Sequence, residues 1–451
     1  MFSAVLMVVM MAMVAFSIDV GYIANVQTDL QRSVDAGALA GAGVLVNGTQ
    51  VAEQMVMNYI QMNKVATKAV AASDVVIETG TWNETTRAFS PVAQGVVPSA
   101  IRVRAQRNNE GLFFAPVIGS NSFDASAEAI AVYQPRDIML VLDYSASMND
   151  DSELRHISSI GQSNVEANLQ QIYGELGSPS FGNMQWDPVY VSSTDTTTIK
   201  NTLGLNSVPY PYPSGSWDSF ISYVKSSGYV NNAGYRKKYG YLTLVNYWLQ
   251  SRPKYNQTPD LWQVSEQPIT AVKDSVTLFL AYLQEVDTDD RLGLSVYTYS
   301  DGTAKLESQL TYDFQSVEDI SRQRQAGHYD YYTNIGAGMR EARLELENNA
   351  RLGAFKMIVL MTDGIANRPS DTNTARQYAL DEAQLAADSR FPIVTISLGA
   401  AADTSLMQQI ADITSGAHFN IPGGQAVSSY EEGLRNVFRA IADDRPLKLV
   451  K

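Results

Sequence analysis

The chain contains no cysteine, which excludes both a disulfide framework and thiol catalysis. Histidine is nearly as scarce: His156, His328 and His418 are scattered through 451 residues. No His-Glu-x-x-His pair is present to bind zinc, and no histidine is placed by motif to activate a serine. A GxxxxGK[S/T] phosphate loop is also missing. Basic residues are outnumbered, 33 Lys+Arg against 47 Asp+Glu, giving a net charge of −14. That balance argues against nucleic acid or anionic lipid as the partner, since both need a basic footprint. These shortages leave an enzyme reading little to stand on, and the expectation is a protein that is not an enzyme.

Charge is missing locally as well. Residues 2–18 carry none, and as a helix they would span about 26 Å, close to the hydrocarbon thickness of a bilayer. Two readings compete, an uncleaved anchor and a signal peptide cut after Ala15-Phe16-Ser17. The anchor is favoured because the segment runs without interruption into a second helical pattern and lacks a basic leader. From Ile23 onward Val26, Leu30, Val34, Ala38, Gly41 and Leu45 recur every three or four residues, the stripe of an amphipathic helix. Within it Gly37-Ala-Leu-Ala-Gly41 permits close backbone approach, expected against the chain's own following segments. A second helical stretch ends near Lys68, after which residues 75–80, 100–106 and 123–133 alternate as half-buried strands do. Helix followed by short strands predicts a small α+β unit, closed by Gln134-Pro135-Arg136.

The stretch that organises the remainder is Asp137-Ile-Met-Leu-Val-Leu-Asp143-Tyr-Ser145-Ala-Ser147. Its five apolar positions, 138–142, suit a strand buried on both faces of a parallel sheet. Asp143-x-Ser145-x-Ser147 then places three hard oxygen donors just past the strand, where ligands of open α/β sheets bind. Such donors suit Mg²⁺, with Ca²⁺ or Mn²⁺ held less selectively. By itself the motif is weak evidence and fits an ordinary turn better, because Ser and Asp also hydrogen-bond their own backbone. Two later stretches add to it. Tyr332-Thr333-Asn334 supplies a hydroxyl at a helix start, and Lys356-Met-Ile-Val-Leu-Met-Thr362-Asp363-Gly364 is a second buried strand ending in a carboxylate.

In this order the three stretches resemble the metal-ion-dependent adhesion site (MIDAS) of von Willebrand factor A (VWA) domains, over residues 136 to about 444. The resemblance implies that Ser145, Ser147 and Thr333 ligate the metal, with Asp143 and Asp363 holding it directly or through water. It also implies an open position, filled by a carboxylate from a protein or surface partner. Tyr144 and Tyr332, which adjoin the ligands, are the expected partner contacts. The sequence departs from the family at Ala146 and Tyr332, where Gly is usual, and both narrow the space around the ion. A second resemblance is carried by Ile18-Asp19-Val-Gly-Tyr22 and Leu30-Gln31-Arg-Ser-Val-Asp35-Ala-Gly-Ala-Leu-Ala-Gly-Ala42. These look like the start of TadG-like tight-adherence (Flp) pilus assembly proteins, many of which carry a VWA domain.

Residues 150–265 separate the ligand turn from the helix expected at 268–283, a distance far beyond normal loop length. The segment is rich in tyrosine and tryptophan, which would form either its own small core or a recognition surface. Beyond it strands and helices alternate as βαβ units should. The expected organisation is an anchor over 1–24, a helical stalk with a pilin-like α+β unit over 25–134, and a VWA domain over 135–445 with an insertion at 150–265. The last is α/β, a doubly wound, mostly parallel sheet. The expected function is that of a bacterial cell-envelope protein, membrane-anchored with its bulk extracytoplasmic, engaging pilus components or a surface through its metal. The alternatives are a VWA subunit of an intracellular chelatase or ATPase-type machine, or a metal-assisted hydrolase built on Asp143 and Asp363.

Overall fold

The computed structural model describes residues 2–451 other than 84–85, 93–97, 287–288, 300–302, 352–353, 400, 422–426 and 444–445. The expected domain end at 445 lies outside the described residues. The chain divides into two compact units: Met1–Pro135 with Gln284–Thr288 and Asp444–Lys451, and Arg136–Leu283 with Asp289–Asp443.

In the first unit, α1 (Phe2–Gly43) is one unbroken helix, with no joint where the expected anchor ends at 24. Its first half is exposed and apolar, and it is long and apolar enough to cross a membrane. Its second half buries Val26, Leu30, Val34, Ala38 and Ala42, four residues apart and therefore on one face. That face packs on α2 (Thr49–Met62) and on the antiparallel strands β1 (Val75–Asn83), β2 (Ala88–Pro91), β3 (Ala100–Gly111) and β4 (Ser122–Tyr133). Gly37 and Gly41 meet the chain itself. A Cβ on Gly37 would lie 2.9 Å from Ile60, and one on Gly41 would lie 2.9 Å from Ile101 and closer still to Val56.

The second unit is built on a six-stranded sheet in the order β12-β11-β10-β5-β8-β9. Its strands are β5 (Arg136–Asp143), β8 (Arg291–Tyr297), β9 (Lys305–Thr311), β10 (Phe355–Thr362), β11 (Ile393–Leu398) and β12 (His418–Ile421). All neighbours are parallel except β9, which joins antiparallel at the edge. Helices α9 (Ile269–Val286), α10 (Phe314–Arg322), α11 (Ile335–Asn349), α12 (Thr372–Asp388), α13 (Thr404–Thr414) and α14 (Val427–Asp443) accompany it. Apolar clusters cover both faces, one with Phe279, Leu283 and Phe438, the other with Met339, Leu346 and Leu406. This is the doubly wound, mostly parallel α/β arrangement. Between β5 and α9 lies a subdomain of six helices, α3 (Ile157–Ile160), α4 (Gln162–Glu175), α5 (Thr196–Leu203), α6 (Trp217–Ser226), α7 (Gly228–Asn232) and α8 (Tyr241–Ser251), with the short pair β6 (Val189–Tyr190) and β7 (Lys238–Tyr239). The chain's last strand, β13 (Leu447–Leu449), pairs with β4 in the first unit's sheet, an addition no local pattern announced.

Strand β5 is central and wholly buried, and charge pins the end where it enters the sheet. The Arg136 guanidinium donates to Asp290 at 2.9 and 3.1 Å and to the Ile441 carbonyl at 2.8 Å. Asp137 accepts from Arg291 at 2.8 Å and from Arg351 at 2.7 Å. Burial alone would raise the Asp137 carboxyl, but the hydrogen bonds from Arg291 and Arg351 outweigh it and hold it below the ordinary value.

Two predictions follow from this packing. Gly41→Val should lower the urea midpoint, with a loss of about 1–3 kcal/mol from overpacking against Val56 and Ile101. Asp137→Asn should cost about 3–5 kcal/mol at neutral pH, because two arginines lose their shared partner. Since the folded Asp137 titrates below its unfolded value near 3.9, its contribution is full above that pH and is lost as pH falls through the folded value. Wild-type and variant urea midpoints should therefore converge in acid.

Candidate metal centre

The parallel register brings Thr362, the last residue of β10, alongside Asp143, the last of β5. The Thr362 hydroxyl donates to Asp143 Oδ2 at 2.8 Å, and the Ser145 N–H donates to Oδ1 at 2.9 Å. Both oxygens of this buried carboxylate are therefore oriented. From there a chain of oxygens crosses the strand ends. Ser145 Oγ lies 3.0 Å from Ser147 Oγ, which donates to Asp363 Oδ1 at 2.8 Å. Thr333 enters from the turn before α11, its N–H donating to Asn367 Oδ1 at 3.1 Å and its carbonyl accepting the Asn367 N–H at 2.9 Å. Gly364 sits between the hydroxyls: a Cβ there would lie 3.5 Å from Ser147 Oγ and 3.7 Å from Thr333 Oγ1. The five predicted ligand residues, Asp143, Ser145, Ser147, Thr333 and Asp363, thus meet at one end of the sheet.

Burial makes the ionised forms of this cluster's two carboxyls costly. Burial pushes both carboxyls upward. For Asp143 it overrides hydrogen bonds from Ser145 and Thr362, and for Asp363 the charges of Asp143, Asp150 and Asp151 add to it. No group of three His, Cys, Asp or Glu that could hold a metal occurs among the described residues. The available donor set is instead two carboxylates with three hydroxyls, hard oxygens of the kind Mg²⁺ takes together with waters.

The partner assignment of Tyr144 is corrected. Its side chain is fully buried and its hydroxyl lies 3.0 Å from Ser321 Oγ, because the position after β5 turns into the core. Tyr332 is half-buried, with the Arg368 guanidinium 3.5 Å above its ring. The methyl of Ala146 packs at Gly327, where a Cβ would stand 3.5 Å away.

Sequence reasoning missed three supporting residues. Tyr297, opposite Asp143 on β8, is buried and donates to the Met361 carbonyl. Thr362 and Asn367 orient Asp143 and Thr333. Thr362 adjoins a predicted ligand and could have been read from that position, whereas Tyr297 is brought in by strand pairing alone. The insertion is also part of the site's support. Gln325 donates to the Thr258 carbonyl at 2.9 Å, Tyr331 donates to Gln257 at 3.0 Å, and Lys254 pairs with Asp330 at 2.7 Å. These contacts brace the loop that leads into Thr333. Most of the insertion's aromatic residues pack into its own core, with Tyr239, Tyr247 and Trp248 among those fully buried.

Tyr144→Phe should therefore cost about 1–3 kcal/mol in urea unfolding by stranding its buried partners on Ser321.

Comparison with known proteins places three families along the chain. The Flp pilus-assembly TadE/G-like family matches residues 1–44, the Tad-like Flp pilus-assembly family residues 40–131, and the von Willebrand factor type A domain residues 262–430. The VWA match begins where the insertion ends, leaving β5 and the ligand turn outside it. Among solved structures, the PilB minor pilin of Streptococcus sanguinis, as a D319A mutant, is 10% identical over 82% of this chain and 88% of its own, with a TM-score of 0.38. A von Willebrand factor type A protein from Catenulispora acidiphila is 11% identical over 81% of this chain and 49% of its own, at 0.32. An aerotolerance-related membrane protein from Bacteroides fragilis is 15% identical over 38% of this chain and 88% of its own, at 0.30. No curated protein sequence matches the chain. With its apolar first helix and pilus-assembly segments, this is a membrane-anchored envelope protein. The order of TadE/G-like segment, Tad-like region and VWA domain along the chain matches that of a TadG-like Flp pilus-assembly protein with a VWA domain.

Proposed function

We propose that the oxygens of Asp143, Ser145, Ser147, Thr333 and Asp363 hold a divalent cation, Mg²⁺ by preference, and that a partner's carboxylate completes its coordination. The partner is a pilus component or a surface, engaged outside the cytoplasmic membrane to which α1 tethers the chain. The observation that carries this reading is the convergence of two buried, mutually repelling carboxylates with three hydroxyls at the strand ends. A cation there would offset the cost of burying both charges. The role is non-catalytic: His156 is paired with Asp151, His328 stacks on Tyr255, and His418 lies 2.9 Å from the Thr395 hydroxyl, so each is engaged elsewhere. The pilus-assembly matches over residues 1–131 favour this reading over a subunit of an intracellular machine.

Calorimetric titration of Mg²⁺ into the full chain in detergent should register binding that Asp143→Ala abolishes, while circular dichroism stays native. Mg²⁺ at about 100 times its dissociation constant should stabilise the wild type by about 2.7 kcal/mol and leave the variant unmoved. Capture of a partner from envelope extract should be lost on chelation. Equal Mg²⁺ affinity in wild type and variant would sink the proposal.

A further inference from the structure

The turn joining β3 to β4 is apolar, exposed and held against the start of α1 in an unusual way. Residues 111–121 carry no charge. Phe113, Phe114, Val117 and Ile118 are 63, 44, 89 and 79% exposed, where a water-facing hairpin tip would be polar. The tip is clamped by one side chain. Asp19, on α1 directly after the uncharged segment, accepts the backbone N–H of Phe113 at 2.8 Å, of Phe114 at 2.9 Å and of Ala115 at 2.6 Å. It is itself 3% exposed. One turn along the helix, Tyr22 stacks edge-on against Phe113 at 4.9 Å and donates to Glu110 at 2.9 Å. Farther along, Gln27 donates to the Ser126 carbonyl and Gln31 to that of Glu128. This ladder of contacts aims the tip toward the N-terminal half of α1. Between them runs an open groove of about 940 Å³, lined by Met11, Ala15 and Ile18 of the helix and by Leu112, Phe114 and Ile118 of the tip.

We infer that this tip is a membrane wedge: with Asp19 as its clamp, it sits among the lipid chains beside α1. Two features argue for lipid as the occupant. The exposed apolar surface is continuous with that of the helix that crosses the bilayer. Most of the tip's backbone N–H groups also find partners within the chain, which lowers the cost of placing them in hydrocarbon. Beyond the three N–H groups on Asp19, those of Leu112, Val117, Gly119 and Ser120 donate to the carbonyls of Asn121, Phe114, Pro116 and Ala115. Position 116 is proline and has no N–H. A buried carboxylate near the bilayer is costly unless partnered, and three amide donors supply the partners. The tip would thus fix how the first unit stands on the membrane.

The inference rests on reading α1 as a membrane span. Because the chain has no native cysteine, Val117→Cys in the full chain carries a single fluorophore. The control, Arg87→Cys, lies in the turn after β1, at the end of the sheet opposite the tip. In uncharged phosphatidylcholine vesicles the label at 117 should be quenched by brominated lipid and protected from aqueous iodide, and the label at 87 should behave in reverse. Adding Asp19→Ala should abolish lipid quenching at 117 while the chain still floats with the vesicles. A chain that fails to float would overturn the span reading and this inference with it. A floating chain whose label at 117 is reached by iodide, or is shielded only after envelope proteins are added, would overturn the wedge alone. Unchanged quenching with Asp19→Ala would overturn the clamp.

Discussion

Two carboxylates ending adjacent parallel strands in a water-poor core are the constraint on which the second unit depends. Asp143 and Asp363 would repel each other and lose hydration at once, a cost that hydrogen bonds from Ser145, Thr362 and Ser147 offset only in part. The sheet can tolerate that tension because its opposite end is tied down. There Arg136 and Asp137 are locked by Asp290, Arg291 and Arg351. An ion-paired strand entry and a hydrogen-bonded strand exit together hold β5 as a platform that presents oxygen donors at its end.

The loop that delivers Thr333 illustrates how an insertion becomes part of such a site. Residues 253–258 reach across to residues 325–331 through hydrogen bonds, an ion pair and the stacking of Tyr255 on His328. The Gly327 N–H in turn donates to the Tyr144 carbonyl at 2.8 Å, tying this loop to the ligand turn. The aromatic residues that suggested a recognition surface build the core from which these contacts are made. Tyr and Trp suit that task, giving large buried area while their polar tips find partners, as Trp248 does on Tyr210 and Trp217 on the Val208 carbonyl.

In the first unit, glycine and alanine on α1 serve the chain's own packing. Gly37 and Gly41 let α2 and β3 approach the helix so closely that a methyl group would collide with Val56, Ile60 or Ile101. The same helix carries two environments in sequence, an apolar exposed half and a half buried along one stripe. Asp19 and Tyr22 mark the change between them.

Periodicity and local chemistry determined much of this protein from sequence. The unbroken apolar run of residues 138–142 specified a two-faced buried strand, the four-residue spacing from Val26 to Ala38 specified the buried face of α1, and alternating polarity specified β3 and β4. The five oxygen-bearing residues that meet at the strand ends were legible because each sits at the end of such an element, next to a turn signal. What only the tertiary structure decided depends on pairings between distant segments. Tyr144 faces the core rather than a partner, Tyr297 and Thr362 flank Asp143 through strand register, and β13 returns to pair with β4. Asp19 holds a turn that lies 94 residues farther along the chain. Sequence encodes which way a side chain alternates, but the neighbour it meets is settled by register and packing between elements that carry no local trace of each other.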